Sequence, residues 1–274
     1  MTHVHSPAAD AGSIDATAVV DTRAEIHPRA VVGPWCRVGP GVRIGAGTRL
    51  LSHVVVEGPA VLGEDVVVHP FSVLGGAAQQ RRQDRAEERR DAELGRLVIG
   101  DRATIREYVT VNRSTHDGRP TTIGADCMLL AGAHVGHDSV VGEGSILANG
   151  AQVAGHVALG GGVRLAGMSG VTQRARVGRL SFVAGFGGVT RDVPPFAWVA
   201  GTPASVRKAN RVGLRRAGLD DDAVDAVSAA VEIWRDQELP VVRRLELLAP
   251  PAANSAEVRE FLEFVTAPSD LGSL

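Results

Sequence analysis

Aliphatic residues recur every six positions along most of this chain. The first run is Ile14, Val20, Ile26, Val32, Val38, Ile44, Leu50, Val56, Leu62, Val68 and Leu74. After a break the phase resumes at Ile99, Ile105, Val111 and Ile123, and it then holds without interruption from Leu129 to Val189. Only Asp117 departs from it within the second run. Glycine often follows the aliphatic residue, as at Gly33, Gly124, Gly136 and Gly178, and a small residue often sits four places after it, as at Thr48, Ala133, Ser139 and Ser181. A period of six matches neither the 3.6-residue repeat of a helix nor the two-residue repeat of a half-buried strand. Each unit instead reads as one short strand and one turn. Three units close a triangular coil with the aliphatic residues inside, and stacked coils bury a core that no single repeat could bury alone. Ordinary sandwich strands are the alternative, but they do not keep one phase through so many units.

With three units per coil, residues eighteen apart stack. The stretch LAGAHVGHDSVVG, residues 130–142, carries His134, His137 and Asp138 between inward-pointing valines. One coil further on stand Gly155 and His156. The period therefore brings His137 and Gly155 to one edge of the solenoid, with His156 beside them.

Two segments leave the register. Residues 75–98 are densely charged and form an excursion, either a solvated insertion or a lid over a site. Residues 112–121 make a smaller excursion that keeps the phase. The prolines of DVPPF end the repeat. The segment TPASVRKANRVGLRRAGL then reads as a turn and a basic helix. A second helix is expected over 220–235, with Val224, Val227, Val231 and Trp234 on one face and acidic residues in its first turn. Two more are expected over 239–248 and 256–265. The chain thus divides into a disordered start at 1–13, a β-solenoid over 14–191 and a helical domain over 192–274.

Composition narrows the picture further. With 274 residues and 44% hydrophobic content the chain can bury a sizeable core, while 4% aromatics and 33 glycines favour tightly turning backbone. A net charge of −2 offers no field for nucleic acid or membrane surfaces. Cys36 and Cys127 form no redox or metal motif, which suits a reducing, cytoplasmic setting. The first residues show no signal-peptide pattern, and no apolar run is long enough for a bilayer span.

The pattern resembles the hexapeptide-repeat acyltransferases, whose coil is a left-handed parallel β-helix. The segments IHPRAVVGPWCRVGPGVRIG, IGDRATIREYVTVNR, AGAHVGHDSVVG, ILANGAQVAGHV, GVTRDVPPF and ANRVGLRRAGL are similar, in the same order, to the UDP-N-acetylglucosamine acyltransferases of lipid A synthesis. The resemblance implies a homotrimer that takes a long acyl chain from acyl carrier protein, by way of its phosphopantetheine arm, to the 3-hydroxyl or amine of a UDP-linked amino sugar. No separate cofactor or metal is implied. It makes His137 the general base, Asp138 its orienting carboxylate and Gly155 the oxyanion donor. It sets His134, His156 and Gln173 around the acceptor, Asn210 and Arg216 on the nucleotide's phosphates, and Gly185 where the acyl chain's length is limited. The roles suit the residue types. Histidine titrates nearest neutrality, guanidinium matches phosphate geometry, and glycine allows close approach of a backbone N–H.

The chain also departs from that family. Thr172 stands where the family has histidine, and Gln83-Asp84 is followed by Ala86 where the family has lysine. These positions bear on the acceptor more than on the chemistry, so another sugar or a natural-product intermediate, with carrier protein or coenzyme A as donor, is the second reading. A third takes His134, His137 and His156 as zinc ligands in a carbonic-anhydrase-like or non-catalytic trimer.

Overall fold

The computed structural model describes residues 12–79, 95–116 and 118–269. Gln83, Asp84 and Ala86 fall outside these residues, as does most of the expected disordered start. Ser13 and Ile14 already belong to the fold, paired with Val31 and Val32.

The hexapeptide units are strands of two to four residues, such as Val31–Val32, Arg37–Val38 and Val42–Ile44. They stack in parallel into three flat faces of eleven, nine and eight strands among the described residues, the eleven including a terminal hairpin whose last strand is antiparallel. The chain visits the first, second and third face in turn, making a parallel β-helix. Register follows the period: Leu50 lies on Val32 and Val153 on Val135. In most two-residue strands the second residue points inward, and in three-residue strands such as Val42–Ile44 the first and third do. Val32, Leu50, Val68, Ile105, Leu129, Val135 and Leu147 are all fully buried, whereas the preceding Arg49, Met128 and Gln152 are exposed. Each such aliphatic residue removes enough apolar surface from water to contribute roughly 1.5–3 kcal/mol. The small residues at the corners are buried too. Ser139 Oγ donates to the Ala154 carbonyl at 2.9 Å and accepts from Val157 N–H at 3.1 Å, tying one coil to the next.

Turning about 120° at each corner needs a left-handed residue, and glycine adopts that conformation at least cost. Gly132 and Gly150 have φ of 72° and 68°, but Asp138 and His156 adopt φ of 60° and 61° without being glycine. Both sit on the edge between the second and third faces. Both excursions leave from this same edge, since the strands Val73–Gly76 and Thr110–Asn112 lie on the second face and Leu97–Ile99 and Thr121–Ile123 on the third.

The parallel ladder runs past residue 191, because Val193 bridges Val177 and Trp198 pairs with Phe182. Beyond it the structure corrects one expectation. Most of TPASVRKANRVGLRRAGL is not a helix. Ala204–Ala209 is a strand, antiparallel to Ala197–Gly201, and only Arg211–Arg216 (α1) is helical. Val206 and Ala209 are buried in this hairpin, which covers the last strand edge of the first face. Pairing with that edge overrides the helical preference of the local sequence. Helices Asp221–Arg235 (α2), Val241–Asn254 (α3) and Ala256–Thr266 (α4) follow. They are moored to the solenoid by Arg176, which bonds the fully buried Asp192 at 2.6 Å and lies over the Phe264 ring, and by the Arg179–Glu260 pair at 2.6 Å.

Candidate active site

His137, Asp138, Gly155 and His156 meet on the edge between the second and third faces. His137 is 5% exposed. Its Nδ1 lies 2.7 Å from Asp138 Oδ2. The ring's Nε2 side rests on Gly155, where a Cβ would come within 2.7 Å of both Nε2 and Cε1. Glycine at this position lets the imidazole lie this close to the backbone. His156 donates its N–H to the His137 carbonyl at 2.9 Å and sets its ring edge-on to that of His137, with centroids 4.9 Å apart. The Gly155 N–H makes no backbone hydrogen bond among the described residues.

Asp138 is fixed from a distance. Thr115, in the second excursion, donates its N–H to Oδ1 at 2.9 Å and its hydroxyl to Oδ2 at 2.8 Å. The Asp138 N–H in turn donates to Thr121 Oγ1 at 2.8 Å. Burial raises the carboxyl's pKa, but the bonds from His137 and Thr115 outweigh it and bring the group down to about 2. Asp138 is thus an anion at any working pH, suited to accept a hydrogen bond from Nδ1 of His137. Thr115 was not legible as a site residue from the sequence. It lies 23 residues from Asp138 inside a segment that breaks the repeat, so no periodicity pointed to it.

His134 lies one strand away on the second face, its Nδ1 2.7 Å from Thr110 Oγ1. Burial lowers its pKa, against the Thr110 bond and together with the charge of His137. His156 is also lowered, first by burial, with Asp138 opposing and His137, Arg174 and His116 reinforcing. Both imidazoles are therefore held toward the neutral form.

His134, His137 and Gly155 open onto a cleft of about 490 Å³ along the second face; Asp138 and His156 do not border it. Its floor descends through His134, Gln152, Gly170 and Gly188, and Thr172, Gln173 and Thr190 line its edge. At Gly170 an added Cβ would meet nothing within 4 Å. Gln79, at the start of the first excursion, and Asn112 border the upper end. Asn112 is 6% exposed, and its Oδ1 has no hydrogen-bond partner although its Nδ2 donates to the Ala77 carbonyl at 2.9 Å. Sequence pattern did not single it out.

The other expected residues lie elsewhere. Asn210 and Arg216 border a second cleft of about 240 Å³ on the first face, beside Arg164 and the stacked rings of Phe182 and Trp198. The Asn210 side chain accepts from Gly213 N–H as the cap of α1 and donates to the Leu180 carbonyl at 2.8 Å. Gly185 is exposed on the edge between the first and second faces and does not border the cleft beside His137. Among the described residues, those placed to share a metal ion are His137, Asp138 and His156, whose donor atoms lie within 4.8 Å of one another; His134 is not among them. Both Asp138 oxygens already accept from His137 and Thr115, an arrangement suited to orienting an imidazole. No helix among the described residues is long and apolar enough to cross a membrane.

Comparison with known proteins bears on the whole chain. The family model described as Udp N-acetylglucosamine O-acyltransferase, Domain 2, matches residues 192–273. The bacterial transferase hexapeptide model, of six repeats, matches residues 41–76 and 120–155. An acyl-[acyl-carrier-protein]–UDP-N-acetylglucosamine O-acyltransferase of Caulobacter vibrioides is 42% identical over 79% of this chain and 80% of its own length. The protein of that name from Synechocystis is 37% identical over 73% of this chain and 70% of its own length. Among solved structures, the Francisella novicida UDP-N-acetylglucosamine acyltransferase superposes with a TM-score of 0.89 at 28% identity, covering 96% of this chain and 94% of that one. The Moraxella catarrhalis UDP-N-acetylglucosamine O-acyltransferase gives 0.85 at 31% identity, over 95% of this chain and 98% of that one.

Proposed function

Because the chain belongs to the UDP-N-acetylglucosamine O-acyltransferase family, we propose that it transfers a long acyl chain from acyl carrier protein to the 3-hydroxyl of UDP-N-acetylglucosamine or to the matching amine of a related sugar, with His137 as general base. The observation that carries this reading is the bond from His137 to an Asp138 that is itself held by Thr115. Nε2 takes the proton of the sugar's hydroxyl as the oxygen attacks the thioester carbonyl. The Gly155 N–H receives the oxyanion of the tetrahedral intermediate, and Asp138 stabilises the imidazolium. Collapse breaks the carbon–sulfur bond, and the imidazolium returns the proton to the departing phosphopantetheine thiolate. No acyl-enzyme forms, since no cysteine or activated serine lines the cleft. The chain itself supplies every group these steps use, and the carrier protein's arm is a co-substrate.

Asn112 Oδ1, an unpaired acceptor at the cleft's upper end, is suited to accept from the acceptor sugar. His134 and Gln173 complete the wall around it, and His156 stands behind His137, edge-on to its ring. The acyl chain runs down the second face, over Gly170 and Gly188, where side chains are absent.

Asn210 and Arg216 lie on a different face from His137, so one copy cannot place both on a single nucleotide sugar. They meet when the first face of one copy lies against the second face of the next. A closed ring of three such contacts turns the edge between those faces toward the axis. That edge carries exposed Trp35, Phe71, Tyr108, Met168 and Phe186, an apolar row that an isolated chain would leave in water. Gly185 lies on this edge, beside Phe186, and there it meets the acyl chain between subunits. The reading is of a homotrimer working in the cytoplasm, where carrier protein and sugar nucleotide are made.

The test is acyl transfer followed by mass spectrometry, with wild-type protein and His137→Ala against carrier-protein and coenzyme A thioesters. His137→Ala should lower kcat roughly 10²–10⁴-fold while keeping the assembly. Near-wild-type turnover would remove His137 from the mechanism, and transfer to a different acceptor would replace the substrate.

A further inference from the structure

Arg191, Arg235 and Arg244 line a cleft of about 620 Å³ between the end of the solenoid and the helices. Among the described residues one carboxylate answers them: Arg235 pairs with Glu232. Arg191 has no acidic partner among the described residues. Arg244 is 7% exposed, donates Nη1 to the Trp234 carbonyl at 2.7 Å and lies over that ring at 4.8 Å. Its Nε is buried with no hydrogen-bond partner. A buried guanidinium lacking a counter-charge is costly unless something supplies one.

A second feature points the same way. Arg244 stands in the first turn of α3, whose N-terminus has no side-chain cap and no acidic residue in that turn. Val241, the first residue of α3, borders the cleft. The first N–H groups of a helix have no partner within it, and the helix dipole puts positive potential there. Ser205 and Gln237 add further donors, and Trp234 and Val265 wall off water.

We propose that this cleft binds a phosphate-class anion, held by the guanidinium groups of Arg191 and Arg244 and by the first N–H groups of α3. Guanidinium forks and a helix N-terminus are the two protein groups best shaped for phosphate oxygens. The anion has two possible sources, with the same chemistry. One is free phosphate. The other is the phosphate of the donor's phosphopantetheine arm, a source that rests on the proposed acyl transfer. Arg191 follows Gly155 and Gln173 at eighteen-residue spacing on one edge, which puts it two coils, about 10 Å, from the oxyanion donor. Thr190, next to it, borders the far end of the catalytic cleft.

Calorimetric titration of the intact protein with inorganic phosphate and with 4′-phosphopantetheine tests the site, with pantetheine as uncharged control. Phosphate should bind, and Arg191→Gln and Arg244→Gln should each weaken it about tenfold or more, a change of about 1.4 kcal/mol. Arg191 is exposed, so Arg191→Gln should leave Tm in phosphate-free buffer unchanged and keeps the test valid if Arg244→Gln fails to fold. No binding of phosphate or phosphopantetheine at tens of millimolar, equal binding by wild type and Arg191→Gln, or pantetheine binding as well as its phosphate would each overturn the proposal. A raised donor KM at constant kcat in Arg191→Gln assigns the site to the donor's phosphate. An unchanged donor KM with lost phosphate binding assigns it to free phosphate. Absence of acyl transfer by the wild type would defeat the proposed function and leave the titrations readable.

Discussion

His137 is held by the residue next to it in sequence, and that residue is held by Thr115 from a different coil. The Asp138 side chain is 6% exposed, and its pKa falls from 3.8 to about 2 on folding. A group whose pKa is depressed by folding contributes stability above its unfolded value and loses it as pH falls toward the folded value. The contribution here is roughly 2 kcal/mol, present above pH 4 and lost between about 4 and 2. Thr115→Val deletes one of the bonds that lower this pKa. It should cost about 1 kcal/mol at neutral pH, and acid unfolding followed by circular dichroism should begin at a higher pH than in wild type. His134 and His156 obey the opposite logic. Their depressed pKa values let the unfolded chain take up protons first, so stability falls as pH drops below about 6.5. Replacing both with Gln should flatten Tm between pH 7 and 5; an unchanged slope would show that neither is buried neutral.

At the scale of the coil, the corner geometry sets the chemistry. Left-handed residues at Asp138 and His156 turn the chain so that successive corners stack their side chains, which presses the His137 ring onto Gly155. Gly155→Ala puts a methyl group into that ring. Because a ring can swing outward while backbone cannot, the β-helix should survive. The proposed base and oxyanion donor should lose alignment, with kcat falling about 10²-fold at near-unchanged Tm. Gly136 makes the contrast: a Cβ there would meet the Gly155 N at 2.7 Å and Ala154 C at 2.8 Å, both backbone. The two excursions belong to this scale as well. They leave the solenoid on the edge that carries His137 and supply Thr115, Asn112 and Gln79, so the interruptions of the repeat build part of the candidate site.

For the whole molecule, the decisive feature is the separation of His137 and Arg216 onto different faces. If neighbouring copies complete each site, two inactive variants can complement each other. His137→Ala and Arg216→Ala chains, co-expressed and assembled at random, should recover about a quarter of wild-type activity, because a site needs one intact residue from each neighbour. Activity no higher than the sum of the separate variants would place both residues' work within one chain.

The hexapeptide phase by itself determined the solenoid, its inward residues and the stacking of His137, Gly155 and His156, because a strict repeat converts sequence distance into spatial distance. Val135 and Val153 lie in register as the eighteen-residue coil requires. Helix α2 was legible from its apolar stripe and acidic first turn. The strand Ala204–Ala209 was not, because only the unpaired edge of the last coil makes that segment extended. Thr115 and Asn112 were hidden for a related reason. They lie where the repeat is interrupted, and there only the folded path of the chain decides which side chain reaches Asp138 and which faces the cleft. The cluster of Arg191, Arg235 and Arg244 joins segments more than forty residues apart with no repeat to relate them, so it too exists only in the tertiary structure.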